Sequence, residues 1–478
     1  MRLLSLFTAV LVGALSLTAC DSIIDDTLDP ISTVGDAELT DPEQMEFVIN
    51  GVQARSNNVQ DNMSVQAGLM SDQFIFGGGI GGGATFPTFR DLMRGLPSDT
   101  NPLNNNSVDG TQNHLGQYRF LADDLLRRLN EIGADAFEEG EDDPLWIQGN
   151  YKANFHGGVA RYYWATYFGL EPGINSPGGG VISELENPAD TERGEFIASA
   201  DMYDRALSKL NDALPFADAY QTRLINTIKA RIALFQDDLA EAEARASEGL
   251  EPGDAPFQNI YRDGSGNQQN TWFSQGGPGR TQAVAAPRFF HGAEYLDGDL
   301  ESPESVRIPQ FDGEDAGQVI DGGATLLNRE GEHPLRVDIG FGDGDSVPLY
   351  AQGLYTNRGN NIDFATWQEN HLMLAEINQR NGEDALALEQ VNEVRESHGL
   401  DEIDAADYDG MNTIYVERDK ELFTMSLRLP DQRRATLFNI DGLDIDRHGW
   451  HLADNVWAHL PITLAERLNN PNLPNDLP

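Results

Sequence analysis

Two helical hairpins constrain this chain more than any other feature. In the first, Leu224, Ile228, Ile232 and Phe235 recur at helical spacing and mark one apolar stripe. The turn Gln236-Asp237-Asp238 follows, with an aspartate suited to cap the next helix. Leu239, Ala242 and Ala246 continue the stripe, and Gly249 suits the position just past a helix end. In the second hairpin, Trp367, His371, Leu374 and Ala375 form the stripe, and Asn381-Gly382 breaks the helix. Leu388, Val391 and Val394 face inward on the partner helix, which Gly399 ends. Amphipathic helices are also predicted over 42–58 and over 114–132, the latter through Leu121, Leu125, Leu126 and Leu129. A further helix near 152–168 holds Phe155, Tyr162, Tyr163, Trp164, Tyr167 and Phe168. The glycine run 77–83 and the Asn-rich stretch 101–106 read as loops. The fold class is mainly α.

Long helices joined by short turns, with alanines at the close contacts, look like tetratricopeptide units, although the period is too irregular for a full solenoid. From 252 to 362 the character changes. Gly, Pro, Asp and Asn dominate, helical period vanishes, and aromatic residues are scattered through the segment. This reads as an irregular, loop-rich lobe on the helical scaffold. Flat rings stack on sugar faces or accept apolar peptide side chains, while neighbouring Asp, Asn and Arg bond hydroxyls or amides. The candidate ligand-binding rings are Trp272, Phe273, Phe289, Phe290 and Tyr295 in the lobe, and Phe74, Phe76 and Phe86 beside the glycine run. For any single ring, a place in the lobe's own small core is the competing role.

Cys20 is the one cysteine, so no disulfide can form within the chain. It closes Leu17-Thr18-Ala19-Cys20, after a basic start at Met1-Arg2 and an apolar stretch, Leu3 to Leu17, too short to span a bilayer. The pattern resembles a bacterial lipobox. Residues 1–19 are expected to be removed as a signal peptide, leaving Cys20 as a lipidated N-terminus. Residues 20–40 would be a flexible tether, and 41–478 the folded domain. Acyl chains on one cysteine give a lasting anchor at about 0.8 kcal/mol per buried CH₂.

Thirty-two basic against 78 acidic residues give a net charge of −46. Such a surface repels phosphates and anionic lipid, which excludes nucleic acid and polybasic membrane contact. Lys152, Lys209, Lys229 and Lys420 are the only lysines. Dispersed carboxylates with so little lysine suggest a protein built for high salt.

Signatures of catalysis are missing. There is no G-x-S-x-G elbow, no H-E-x-x-H and no Walker-type loop, and Gly77-x-Gly79-x-x-Gly82 lacks a βαβ setting. Acidic turns at Asp297-Gly298-Asp299, Asp343-Gly344-Asp345 and Asp441 to Asp446 do not fit an EF-hand loop. His448, His451 and His459 near Trp450 and Trp457 read as packing histidines. Neither a metal nor a cofactor is expected.

The last third of the chain carries a more specific pattern. It runs Leu374-Ala375-Glu376, then Ala387 to Arg395 in the form A-x-x-x-x-N-x-V-R, then His398-Gly399-Leu400. Glu417-Arg418-Asp419-Lys420-Glu421-Leu422 follows, then Met425-Ser426-Leu427-Arg428, and finally Leu460-Pro461-Ile462 and Asn470-Pro471-Asn472-Leu473. In this order, over about 365–478, these pieces resemble the SusD/RagB family of outer-membrane nutrient-binding lipoproteins. The family has E-G-x-R where this chain has Met425-Ser426-Leu427-Arg428, and Thr463 replaces a proline. The resemblance implies a SusD-like helical scaffold and a place at the outer membrane, facing outward. It also implies a TonB-dependent, SusC-like transporter as partner, and an oligosaccharide, or a peptide or other polymer fragment, as ligand. No catalysis is implied. The rivals are a surface-anchored hydrolase and a helical scaffold that binds only protein. Most of the motif residues are expected to be structural, with Asn392 and Arg395 bonding turns and carboxylates, and Glu417, Arg418 and Glu421 in an ion-pair network.

Overall fold

The computed structural model describes residues 38–76, 87–94, 103, 105–183, 193–264, 269–277, 282–311, 319–320, 347–348, 350–445 and 456–474. The expected signal peptide, Cys20, the glycine run, Phe86, Asp343 to Asp345, His448, Trp450 and His451 lie outside the described residues. The helices are α1 (Met45–Met70), α2 (Pro87–Arg94), α3 (Asn106–Ile132), α4 (Pro144–Tyr167), α5 (Ser199–Ala213), α6 (Ala219–Phe235) and α7 (Leu239–Ala246). They continue with α8 (Thr271–Gly276), α9 (Pro287–His291), α10 (Trp367–Arg380), α11 (Asp384–Ser397), α12 (Met411–Glu421), α13 (Arg428–Phe438) and α14 (Leu464–Asn469). The strands used below are β1 (Phe74–Phe76), β2 (Phe168–Gly169), β3 (Gly179–Val181), β4 (Phe196–Ala198), β5 (Phe257–Asn259), β6 (Ala283–Ala285), β7 (Gln310–Phe311), β8 (Val319–Ile320), β9 (Val347–Pro348), β10 (Ala351–Gln352), β11 (Ile362–Ala365) and β12 (Leu460–Pro461). The fold is mainly α, with short strands in two-stranded pairings.

Local chemistry explains where the helices start and stop. Asp143 caps α4 by accepting from the Leu145 and Trp146 amides, with Pro144 in the first turn where a missing N–H costs nothing. In the hairpin α6–α7, Asp218 and Gln221 form a reciprocal capping box, and Asp238 caps α7. In the hairpin α10–α11, Thr366 caps α10, and Gly382 turns the chain at φ 80°. Gly249 has a different reason from the one its spacing suggested. A Cβ there would lie 2.4 Å from Asn370 Oδ1, so glycine serves a close approach between α7 and α10. Asn370 also donates to the Ala246 and Leu250 carbonyls, sewing the two hairpins together.

Helix α10 is buried on more faces than its predicted stripe, because α7 packs on one side and α11 and α12 on the other. Leu372, Met373 and Ile377 are inside with His371 and Ala375, while Leu374 is half-buried. On α11 the inward residues are Ala387, Val391 and Val394, and Leu388 is half-buried. Helix α4 packs against α3 and α5, and its five predicted aromatics are buried, as is Phe168, which opens β2. The C-terminal Leu460-Pro461 pairs in parallel with β2, directly after α4.

The irregular lobe is pinched off at its base. Strand β5 pairs antiparallel with β11, and these two segments bound the stretch that composition set apart at 252–362. Asp61 on α1 then clamps the lobe helix α8. Its Oδ2 accepts from the Thr271 amide (3.1 Å) and hydroxyl (2.6 Å), and Oδ1 accepts from the Asn62 amide (2.7 Å). Burial pushes the Asp61 carboxyl from 3.8 up to about 7 against these donors. The folded chain therefore keeps a proton that the unfolded chain has already lost, so stability falls as pH rises through that window. The decline is up to about 4 kcal/mol for this group. In urea titrations between pH 4.5 and 7.5, the wild type should lose stability relative to Asp61→Asn. A difference between them that does not change with pH would show that Asp61 ionises normally.

Candidate functional site

The lobe's elements hold its rings in two kinds of place. Strand β1 pairs antiparallel with β6, with Phe74 opposite Ala285 and Phe76 opposite Ala283. The Ala285 amide also donates to the Tyr350 carbonyl, and the Ala286 amide to the Gln73 carbonyl. Asn270 caps α8 by accepting from the Trp272 and Phe273 amides.

Trp272 is 0% exposed, lies 4.3 Å from the Phe74 ring between centroids, and donates from Nε1 to Ser64 Oγ at 2.8 Å. Phe289 is also 0% exposed, packed on Phe423 and Tyr295. Phe74 and Phe76 are buried, and Tyr295 is buried with its hydroxyl donating to Asp419 Oδ2 at 2.9 Å. These five rings present no open face on which a ligand could stack. They are core: α1 covers Trp272 and Phe74, and Phe423 and Asp419 hold Phe289 and Tyr295 inside.

Phe273 and Phe290 are placed differently. Both are half-buried at the lobe surface. Phe290 lies 4.5 Å from the half-buried Tyr350 ring and 4.7 Å from the His291 ring, giving a three-ring cluster. The exposed Arg358 guanidinium lies 5.9 Å from the Phe273 ring centroid. Tyr350 and Arg358 were not picked from the sequence as site residues. Trp272-Phe273 and Phe289-Phe290 are adjacent pairs on short helices, so their side chains diverge by about 100°, and in each pair the second ring is the less buried.

Beneath the rings, two ion-pair clusters tie the lobe to the C-terminal helices. Asp419 on α12 accepts from Arg288 of α9 at 2.8 Å, and Asp72 pairs with both Arg288 (3.2 Å) and Arg428 (3.1 Å). Glu417 binds Arg307 of the lobe (2.7 Å), Lys420 (2.8 Å) and Arg395 (3.1 Å). Burial opposes the charge on Glu417, but the cations Arg307, Lys420 and Arg395 hold its carboxyl well below the usual range. Arg418 pairs with Asp431 at 2.9 Å, and Glu421 with His398 at 2.9 Å. Asn392 brackets the Ile403 amide and carbonyl, and Arg395 also binds the Asp401 carbonyl. The motif residues are thus engaged in structure, as expected. Between α12 and α13, Thr424 (φ 72°) and Ser426 (φ 70°) adopt the left-handed conformation. This accounts for glycine in the motif at the position Ser426 takes. Tyr167 braces Ser426, hydroxyl to hydroxyl, at 2.8 Å.

Known structures with this arrangement exist. No family model matches the sequence, and no curated protein matches it. A SusD superfamily protein from Bacteroides vulgatus superposes with a TM-score of 0.61 at 14% identity, covering 91% of this chain and 98% of that one. The chain has the SusD fold. The surface glycan-binding protein A of Bacteroides uniformis shares that fold at a TM-score of 0.56 and 15% identity, over 90% of this chain and 98% of its own. A protein solved with a xylogluco-oligosaccharide shares it at 0.60 and 11%, over 91% and 99%. The matched region includes part of the lobe, since 91% coverage cannot be reached without it.

Proposed function

We propose that this protein is a lipid-anchored, outward-facing outer-membrane lipoprotein. It captures an oligosaccharide and delivers it to a TonB-dependent, SusC-like transporter without making or breaking a bond. The observation that carries the reading is a SusD fold whose lobe holds half-buried rings at its surface, Phe290 beside Tyr350 and Phe273 beside the exposed Arg358. Glycan binding by two proteins of the same fold supports the ligand class. The lipobox at Cys20 and the tether after it support the anchor. Among the described residues no helix is long and apolar enough to cross a membrane.

The test is calorimetric titration of the lipid-free domain with xylogluco- and malto-oligosaccharides, followed by product analysis. Phe290→Ala and Phe273→Ala should each weaken binding by about 2 kcal/mol, since a ring at a binding hot spot contributes on that scale. Unchanged binding in both variants would remove the lobe rings from the site. Reproducible cleavage of a glycan would make the protein a hydrolase.

A further inference from the structure

A second surface, away from the lobe rings, is shaped to hold a ligand. An open cleft of about 690 Å³ lies where four helix ends meet: the start of α7, the end of α10, the start of α12 and the end of α13. That volume falls within the range of small-ligand sites, roughly 300–1,000 Å³. Phe438 lines it and is 37% exposed, next to Leu437 at 44%. Nothing in the packing of α13 requires a ring there, because residues 428–435 of that helix are all buried while its last two large apolar side chains face out. Asn439 then ends the helix in the left-handed conformation at φ 46°.

The opposite wall is polar and already fixed in position. Tyr408 donates to Gln379 Oε1 at 2.7 Å, and Gln379 donates to Asp384 at 2.9 Å. Gly410 is also in the lining, at φ 52°, where a Cβ would touch Gln379 at 3.4 Å. Charge narrows the choice of ligand. Arg380 pairs with Asp237 at 2.5 Å, so it offers little to an anion. Asp409, which accepts from Asn412 at 3.1 Å, and Asp441 are both exposed carboxylates on the rim. Two rim carboxylates beside a paired arginine disfavour an anionic ligand. The apolar lining is too small for a lipid chain.

We infer that this cleft is a second oligosaccharide site. Phe438 takes one sugar face, and Tyr408, Gln379 and Asp441 bond the hydroxyls. The ligand class rests on the glycan reading above, but the location does not depend on the lobe. A chain of sugars long enough to contact both surfaces would be held at two points, which raises its effective concentration at each.

The experiment is titration of the full lipid-free domain with xyloglucan heptasaccharide, maltoheptaose and a hexalysine peptide, using wild type, Phe438→Ala, Asp441→Asn and Phe290→Ala. Both cleft residues are at the surface, so those variants should melt as the wild type does. Phe438→Ala should weaken one heptasaccharide at least about tenfold, as loss of a stacking ring does, and Asp441→Asn should weaken the same sugar. Phe290→Ala should leave that component of the isotherm in place. Wild-type binding in both cleft variants, with loss in Phe290→Ala, overturns the second site and leaves the lobe reading standing. Binding of hexalysine in preference to both sugars overturns the assignment of ligand class. If the wild type binds none of the three probes, the second site and the glycan reading both fail.

Discussion

Asp419→Ala is expected to cost about 3–5 kcal/mol and to loosen the lobe before the helices unfold. Asp419 is buried and accepts from Arg288, from Tyr295 at 2.9 Å and from Gln73 at 3.3 Å. Arg428 lies a further 3.7 Å away. Removing the carboxylate leaves Arg288 and Arg428 buried with Asp72 as their shared anion, and a buried charge without its partner is penalised on that scale. Arg288 and Tyr295 come from the lobe and Gln73 from the segment after α1, so the penalty falls where the lobe meets the scaffold. Urea unfolding gives the magnitude, and limited proteolysis gives the location. Cleavage within 252–362 should precede cleavage of the helical hairpins. A variant within 1 kcal/mol of wild type, cut in the wild-type order, would mean that apolar packing alone holds the lobe.

The same cluster shows what could and could not be read from the sequence. The hairpins were legible because a helix declares itself locally, through stripe spacing, a capping aspartate and a turn glycine. The change of composition near 252 and 362 falls close to the β5–β11 pairing. Glu417, Arg418 and Glu421 were legible as ion-pairing residues, but their helical spacing misled, since none of the three pairs with another. Their lobe partners were not legible. Arg307 lies 110 positions from Glu417, and Arg288 lies 131 from Asp419. No local pattern encodes such a pairing. Asp72 goes further still, since its partner Arg428 is 356 residues away.

Sorting the rings failed for a related reason. An aromatic residue in a glycine-rich segment looks available for a ligand, whether or not a distant helix covers it. Trp272 is covered by α1, and Tyr295 is drawn inward by Asp419. What survives, Phe273 and Phe290, is the half of each adjacent pair that the helical twist turns away from the core. Gly249 makes the same point for backbone. Its place after α7 suggested a helix end, but the nearby Asn370 side chain, 121 positions on in the numbering, is what excludes a Cβ.

Trp272→Ala follows from that sorting and is expected to destabilise by about 3–5 kcal/mol, the range for removing a buried large aromatic. The indole occupies a slot whose walls include two glycines. A Cβ on Gly68 would meet Trp272 Cη2 at 3.4 Å, and one on Gly276 would meet Cε3 at 2.8 Å. Such walls cannot collapse into the space, because neither glycine has a side chain to move and the α1 backbone is fixed by its own hydrogen bonds. The full cavity cost therefore applies. Ser64 Oγ would also lose its donor, a bond worth about 1 kcal/mol. Phe273→Ala, one residue on, removes a half-buried ring and should cost clearly less stability while weakening glycan binding. Melting curves and sugar titrations on the two neighbouring variants give the decisive contrast. If Trp272→Ala melts with the wild type and loses binding, the indole faces ligand and the β1–β6 layer must open in solution. If it melts early and Phe273→Ala does not, adjacent rings divide the work, one holding the lobe to α1 and the other meeting the sugar.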